Sequence, residues 1–136
     1  MRHMPSRVAI VGAGPIGCAA AAFLVQDGMA PAMWSPTGSR VQRQADRARF
    51  RCAGAVSGEV DVEWLASPQR LAEFPVVLLC LPANAYGDVL GPLNAVWRSG
   101  QHVVVSGALS LAPLWIAGAT EGVQVEFTPE GITRLA

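Results

Sequence analysis

The sequence predicts an α/β domain with a mainly parallel, doubly wound sheet and helices on both faces. Apolar runs recur at residues 7–11 (RVAIV), 76–81 (VVLLCL) and 102–106 (HVVVS). Such runs, without alternation, suit strands buried on both sides. Helical or turn-forming segments separate them, as parallel pairing requires.

Taken in order, residues 7–11 form a strand that ends at Gly12. An alanine-rich helix follows over 16–26, with Gly28 as its C-cap. A second strand covers 30–34, with Pro31 near its start, where a missing donor is tolerated. Residues 35–40 (SPTGSR) make a turn or loop, and the polar stretch 42–49 reads as helical. Strands are expected at 50–55 and 59–64, around a turn at 56–58. In the second of these, Val60, Val62 and Trp64 alternate with Glu59, Asp61 and Glu63, the pattern of a half-exposed strand. Ser67 and Pro68 fit an N-cap and first helical position, opening a short helix to Phe74. Residues 76–81 then give the central strand, stopped by Pro82. A helix over 85–97, interrupted near Gly91 and Pro92, leads to the strand at 102–106. A short helix at 111–117 and a strand at 123–127 complete the pattern.

A chain of 136 residues suits one domain. Apolar residues make up 51% of it and mean hydropathy is +0.34, enough for a real core. Charged residues are only 15%, low for a soluble domain, which points to a surface covered by another domain or subunit. Net charge is zero, so no basic field is present to hold nucleic acid. Every basic residue is arginine, which excludes lysine chemistry within the chain. The cysteines Cys18, Cys52 and Cys80 are odd in number and widely spaced, against a disulfide framework or a zinc site. The apolar stretch 8–25 is broken by Gly12, Gly14, Pro15 and Gly17, unlike a membrane span. A reducing cytoplasm is the expected compartment. His3 and His102 make neither a metal site nor a general acid: one lies in the polar N-terminus, the other at the strand end away from any ligand edge.

The chemistry lies in Gly12-Ala13-Gly14-Pro15-Ile16-Gly17. This is the GxGxxG fingerprint, placed between a strand and a helix as a Rossmann-type dinucleotide site requires. Gly12 allows the tight turn off the strand. Gly14 lets a pyrophosphate approach the backbone, and Gly17 lets the helix pack on the strand. The helix start offers amides and partial positive charge to the phosphates. Gly12, Gly14, Pro15, Ile16 and Gly17 are therefore candidate cofactor contacts.

The exit of the second strand reads the cofactor's ribose. NAD-preferring domains carry an acid there; this chain has Ser35, which does not repel a 2′-phosphate. Thr37, Ser39 and Arg40 follow, with Arg40 supplying charge. NADP is the expected cofactor and NAD the alternative. The second edge of the site falls at the exit of the central strand, on Leu81, Pro82 and Ala83, through backbone contact. Asn84 there either bonds to the ligand or caps the next helix.

Three segments together resemble the N-terminal NAD(P)-binding domain of the opine (octopine) dehydrogenase family. They are VAIVGAGPIG (8–17), WSPTGSR (34–40) and VVLLCLPANAYGDVLGPL (76–93), with HVVVSGALS (102–110) fitting the strand that follows. The first is generic to Rossmann domains; the next two favour this family. The resemblance implies NADPH-dependent reduction of an imine formed from an amino acid and a 2-oxo acid. It also implies a helical C-terminal domain that carries a catalytic histidine and its aspartate partner. Residues 1–136 would then be a single dinucleotide-binding domain, the N-terminal part of a longer two-domain enzyme. No catalytic residue is assigned within it. Ketopantoate reductase and glycerol-3-phosphate dehydrogenase share the plan and stay open, as does a non-catalytic NAD(P)-binding regulatory module.

Overall fold

A computed structural model of the protein describes residues 7–36, 41–54, 57–81, 93, 96–98, 100–105, 125–127 and 132–135. In chain order these form β1 (Val8–Val11), α1 (Pro15–Gln26), β2 (Ala32–Trp34), β3 (Gln42–Gln44), β4 (Arg47–Cys52) and β5 (Gly58–Trp64). A 3₁₀ helix (Pro68–Glu73), β6 (Val76–Leu79), β7 (His102–Val105), β8 (Val125–Phe127) and β9 (Ile132–Leu135) follow. One nine-stranded sheet runs in the order β3-β4-β5-β2-β1-β6-β7-β9-β8.

The fold is Rossmann-type α/β. Strands β5, β2, β1, β6 and β7 pair in parallel. Antiparallel strands flank this core: β4 and β3 beyond β5, and β9 and β8 beyond β7. All four residues of β1 are buried, because both faces of the strand are covered. On one face Ile10 and Met33 pack with Ala21 and Ala22 of α1. On the other, Ala9, Val11, Val77 and Leu79 pack with Leu71 and Phe74 of the 3₁₀ segment.

One buried polar side chain holds that second face. Gln101, only 4% exposed, donates from Nε2 to the carbonyls of Leu71 (2.9 Å) and Phe74 (2.7 Å). Its Oε1 accepts the amide of Arg98 at 2.7 Å. On the first face the Cys80 thiol is buried with Ile10 and Met33, and desolvation pushes its pKa up to about 11.

The stretch 42–49 is not helical. It forms the β3–β4 hairpin, with Gln42 opposite Arg49 and Gln44 opposite Arg47. The reason lies in a period of two: Ala48 and Phe50 are buried while Arg47, Arg49 and Arg51 are exposed. Across the ladder these arginines face Glu63, Asp61 and Glu59, a cross-strand arrangement of opposite charges. The strand expected at 50–55 therefore begins earlier and ends at Cys52. The segment opened by Pro68 is a 3₁₀ helix, and Ser67 makes no side-chain cap bond. β9 was not anticipated. The expected helices at 85–97 and 111–117 lie on residues outside the described set, Leu93, Val96 and Trp97 aside.

Candidate functional site

Order in the sheet reverses at β1. The chain leaves β1 through α1 to β2 on one side, and β6 lies on the other. The carboxyl ends of β1, β2 and β6 therefore share one edge, where open α/β sheets bind ligands. Two main-chain bonds fix that edge. The Gly12 amide donates to the Trp34 carbonyl, and the Cys80 amide donates to the Val11 carbonyl, each at 2.8 Å.

The three glycines of the turn sit in different surroundings. Gly12 has φ +118°, and a side chain there would collide with the Cys80 carbonyl. A Cβ on Gly17 would collide with the Gly12 carbonyl. Both glycines are thus required by the chain's own packing. Gly14 is not: its φ of −84° and ψ of −167° are extended values open to any residue. Among the described residues, no atom apart from those of Gly14 itself, its chain neighbours and the adjoining helix backbone lies within 4 Å of the place its Cβ would occupy. The bare backbone at Gly14 faces space that the described protein does not fill.

Gly14 is the N-cap of α1 and Pro15 follows in the first turn. The Gly14 carbonyl accepts the first helical bond, from the Cys18 amide at 2.9 Å. No acidic side chain stands in the first turn, so nothing there opposes an anion. Pro15 and Ile16 are exposed beside the turn. These features fit a pyrophosphate held by backbone amides at the start of a twelve-residue helix.

The remaining candidates divide. Ser35 lies at the exit of β2, half-buried and next to Trp34. Leu81 follows β6; the residue is 6% exposed and its side chain is packed into the core, so that side chain is not available to a ligand. Thr37, Ser39, Arg40, Pro82 and Ala83 lie outside the described residues. Sequence reasoning missed the β3–β4 hairpin, whose tip joins this edge: the Trp64 amide donates to the Asp46 carbonyl at 2.7 Å. Its signal was the alternation of arginine with Ala48 and Phe50.

An open groove of about 270 Å³ runs along the hairpin, lined by Gln42, Arg43, Gln44, Arg47, Arg49 and Asp61. Within it Asp61 binds Arg47 at 2.8 Å and Arg49 at 3.5 Å. The Arg47 hydrogen bond foremost, with Arg49 adding to it, holds the Asp61 carboxyl below its ordinary range. The described cysteines form no disulfide, and no described His, Cys, Asp or Glu groups make a metal site. No helix among the described residues is long and apolar enough to cross a membrane.

No protein-family model matches the chain, and no curated protein sequence matches it. Solved structures do. An imine reductase from Streptomyces aurantiacus is 24% identical, with a TM-score of 0.58 over 83% of this chain and 38% of its own. A ketopantoate reductase of the PanE/ApbA family from Ralstonia eutropha JMP134 is 17% identical, with a TM-score of 0.64 over 95% and 46%. A reductive aminase from Aspergillus terreus, solved with NADPH and ethyl-5-oxohexanoate, is 18% identical, with a TM-score of 0.55 over 93% and 43%. These likenesses establish the fold. The chain spans less than half the length of each of the three.

Proposed function

We propose that the chain is the NADP(H)-binding domain of an opine-dehydrogenase-like oxidoreductase, one that reduces an imine formed from an amino acid and a 2-oxo acid. The observation that carries the dinucleotide reading is Gly14. Neither backbone strain nor crowding by described atoms explains a glycine there. A ligand pressed against the backbone does.

Gly12, Gly14, Pro15, Ile16 and Gly17 would hold the pyrophosphate at the start of α1. Ser35, Thr37, Ser39 and Arg40 would take the adenosine ribose and its phosphate, and the backbone at Leu81, Pro82 and Ala83 the nicotinamide half. When bound, the nicotinamide supplies a hydride to the imine carbon. The chain's own part is to bind and orient: donated amides fix the phosphates, and the exits of β1 and β6 set the line of the dinucleotide. Two neighbours named for imine or amine chemistry, one of them holding NADPH, support this reading.

The domain would be the N-terminal part of a longer two-domain enzyme, with catalytic groups in a helical partner domain. The neighbours' greater length supports this. So do Ile16, Phe23 and Val25 of α1, which are 54%, 63% and 37% exposed and suit cover by a further domain or a second subunit. Ketopantoate reduction is the second reading, favoured by the longer superposition on that enzyme.

Titration of the chain with NADPH, followed by nucleotide fluorescence, tests the first step, and saturable binding is expected. Turnover of an amino acid plus a 2-oxo acid, against ketopantoate, by the whole encoded protein tests the second. Absence of dinucleotide binding overturns the reading. Oxidation of NADPH with ketopantoate alone moves it to the alternative.

A further inference from the structure

The tip of the β3–β4 hairpin reaches the carboxyl edge of the sheet at Trp64, the last residue of β5. Trp64 is the register partner of Met33 in β2, and the next residue, Trp34, is the partner of Val11 in β1. Trp64 thus stands two strands from the glycine turn, roughly 10 Å along the edge, and the hairpin tip lies one strand beyond it.

Arg43 of β3 lies over the indole of Trp64, its guanidinium carbon 5.0 Å from the ring centre. Trp64 is only 5% exposed, so the platform is fixed. Arg47 and Arg49 are tied to Asp61, and Arg70 to Glu63 and Glu73. No ion pair joins Arg43 to a described carboxylate. A guanidinium held over a ring keeps its N–H donors in its own plane, where they remain able to bond a further acceptor. Its charge is held in place and is paired with no described carboxylate, the condition in which an arginine recognises an anion at little entropic cost.

We infer that Arg43 is a specificity-determining residue of the dinucleotide site, receiving a phosphate carried on the adenosine ribose and so selecting NADP(H) over NAD(H). The inference rests on the reading of the glycine turn as the pyrophosphate site. From that turn the adenosine half runs toward the exit of the second strand. Ser35 there presents no carboxylate to repel a phosphate, and the Arg43–Trp64 stack stands one strand further on.

The test is titration of NADPH and NADH against the wild-type chain, Arg43→Gln and Arg40→Gln. Arg43 is exposed, so the first variant keeps the fold. Loss of a charge-assisted contact weakens NADPH binding in Arg43→Gln by about tenfold to a hundredfold. NADH binding stays at the wild-type value. Equal losses for both nucleotides would show a merely structural role and overturn the inference. So would unchanged NADPH binding, or a preference removed by Arg40→Gln and untouched by Arg43→Gln. A wild-type chain that binds neither nucleotide overturns the glycine-turn reading and this inference with it. One that binds both, with Arg43→Gln indistinguishable from it, overturns this inference alone.

Discussion

Gly17 of α1 rests directly on the carbonyl of Gly12, with no room between them for a methyl group. The helix can approach β1 this closely only because Gly17 lacks a side chain. Gly17→Ala therefore sets two effects against each other. Alanine gains up to about 1 kcal/mol in helix propensity. Overpacking against a backbone carbonyl that cannot rotate aside costs about 1–3 kcal/mol. A net loss of stability is expected, read as a lower urea midpoint. A raised midpoint would contradict the packing seen here.

Gly14→Val separates binding from folding. Its extended backbone and open surroundings accept a side chain, and because valine is a poorer N-cap than glycine a stability loss of only about 1 kcal/mol is expected. The new side chain occupies the space assigned to the pyrophosphate, and NADPH affinity is expected to fall by at least about tenfold. Calorimetry alongside thermal unfolding reads both quantities.

Gln101→Leu removes the donor shared by the carbonyls of Leu71 and Phe74 and the acceptor for the Arg98 amide. Leaving buried polar groups unpaired costs roughly 1–3 kcal/mol each, relaxation reducing the total. A loss of about 2–4 kcal/mol is expected by chemical denaturation. A change under about 1 kcal/mol would show that the 3₁₀ segment finds other partners.

Cys80 makes stability fall at alkaline pH. Burial raises its pKa in the fold from 9.0 to about 11, so the unfolded chain releases the thiol proton first. This contribution is complete below pH 9 and is lost as pH rises toward 11. Unfolding curves across that window should show a downward slope that Cys80→Ala reduces. An unchanged slope in the variant would place its origin elsewhere.

The parallel core was legible because its strands are uninterrupted apolar runs, and because the glycine turn joins the first of them to a helix. The same turn located the candidate phosphate site. The hairpin was not legible as such. Its polar composition suggested a helix surface, and the regular spacing of Arg47, Arg49 and Arg51 carries meaning only beside Glu59, Asp61 and Glu63, which lie a turn later in the chain. β9 was hidden for a different reason. Ile132–Leu135 is four residues long and mixes apolar with polar side chains, and its place is set by pairing with β7 and β8 rather than by local pattern. Arg43 escaped notice because its stack on Trp64 joins residues of two different strands.

The bonds from the Gly12 amide to Trp34 and from the Cys80 amide to Val11 link three strand exits in series. Neither amide can meet solvent unless β1 separates from a neighbour, since a buried backbone donor gives up its partner only when the ladder opens. In deuterated water the two amides should therefore exchange late and together, at the rate set by global opening of the sheet. The floor of the cleft is then among the last parts of the molecule to loosen.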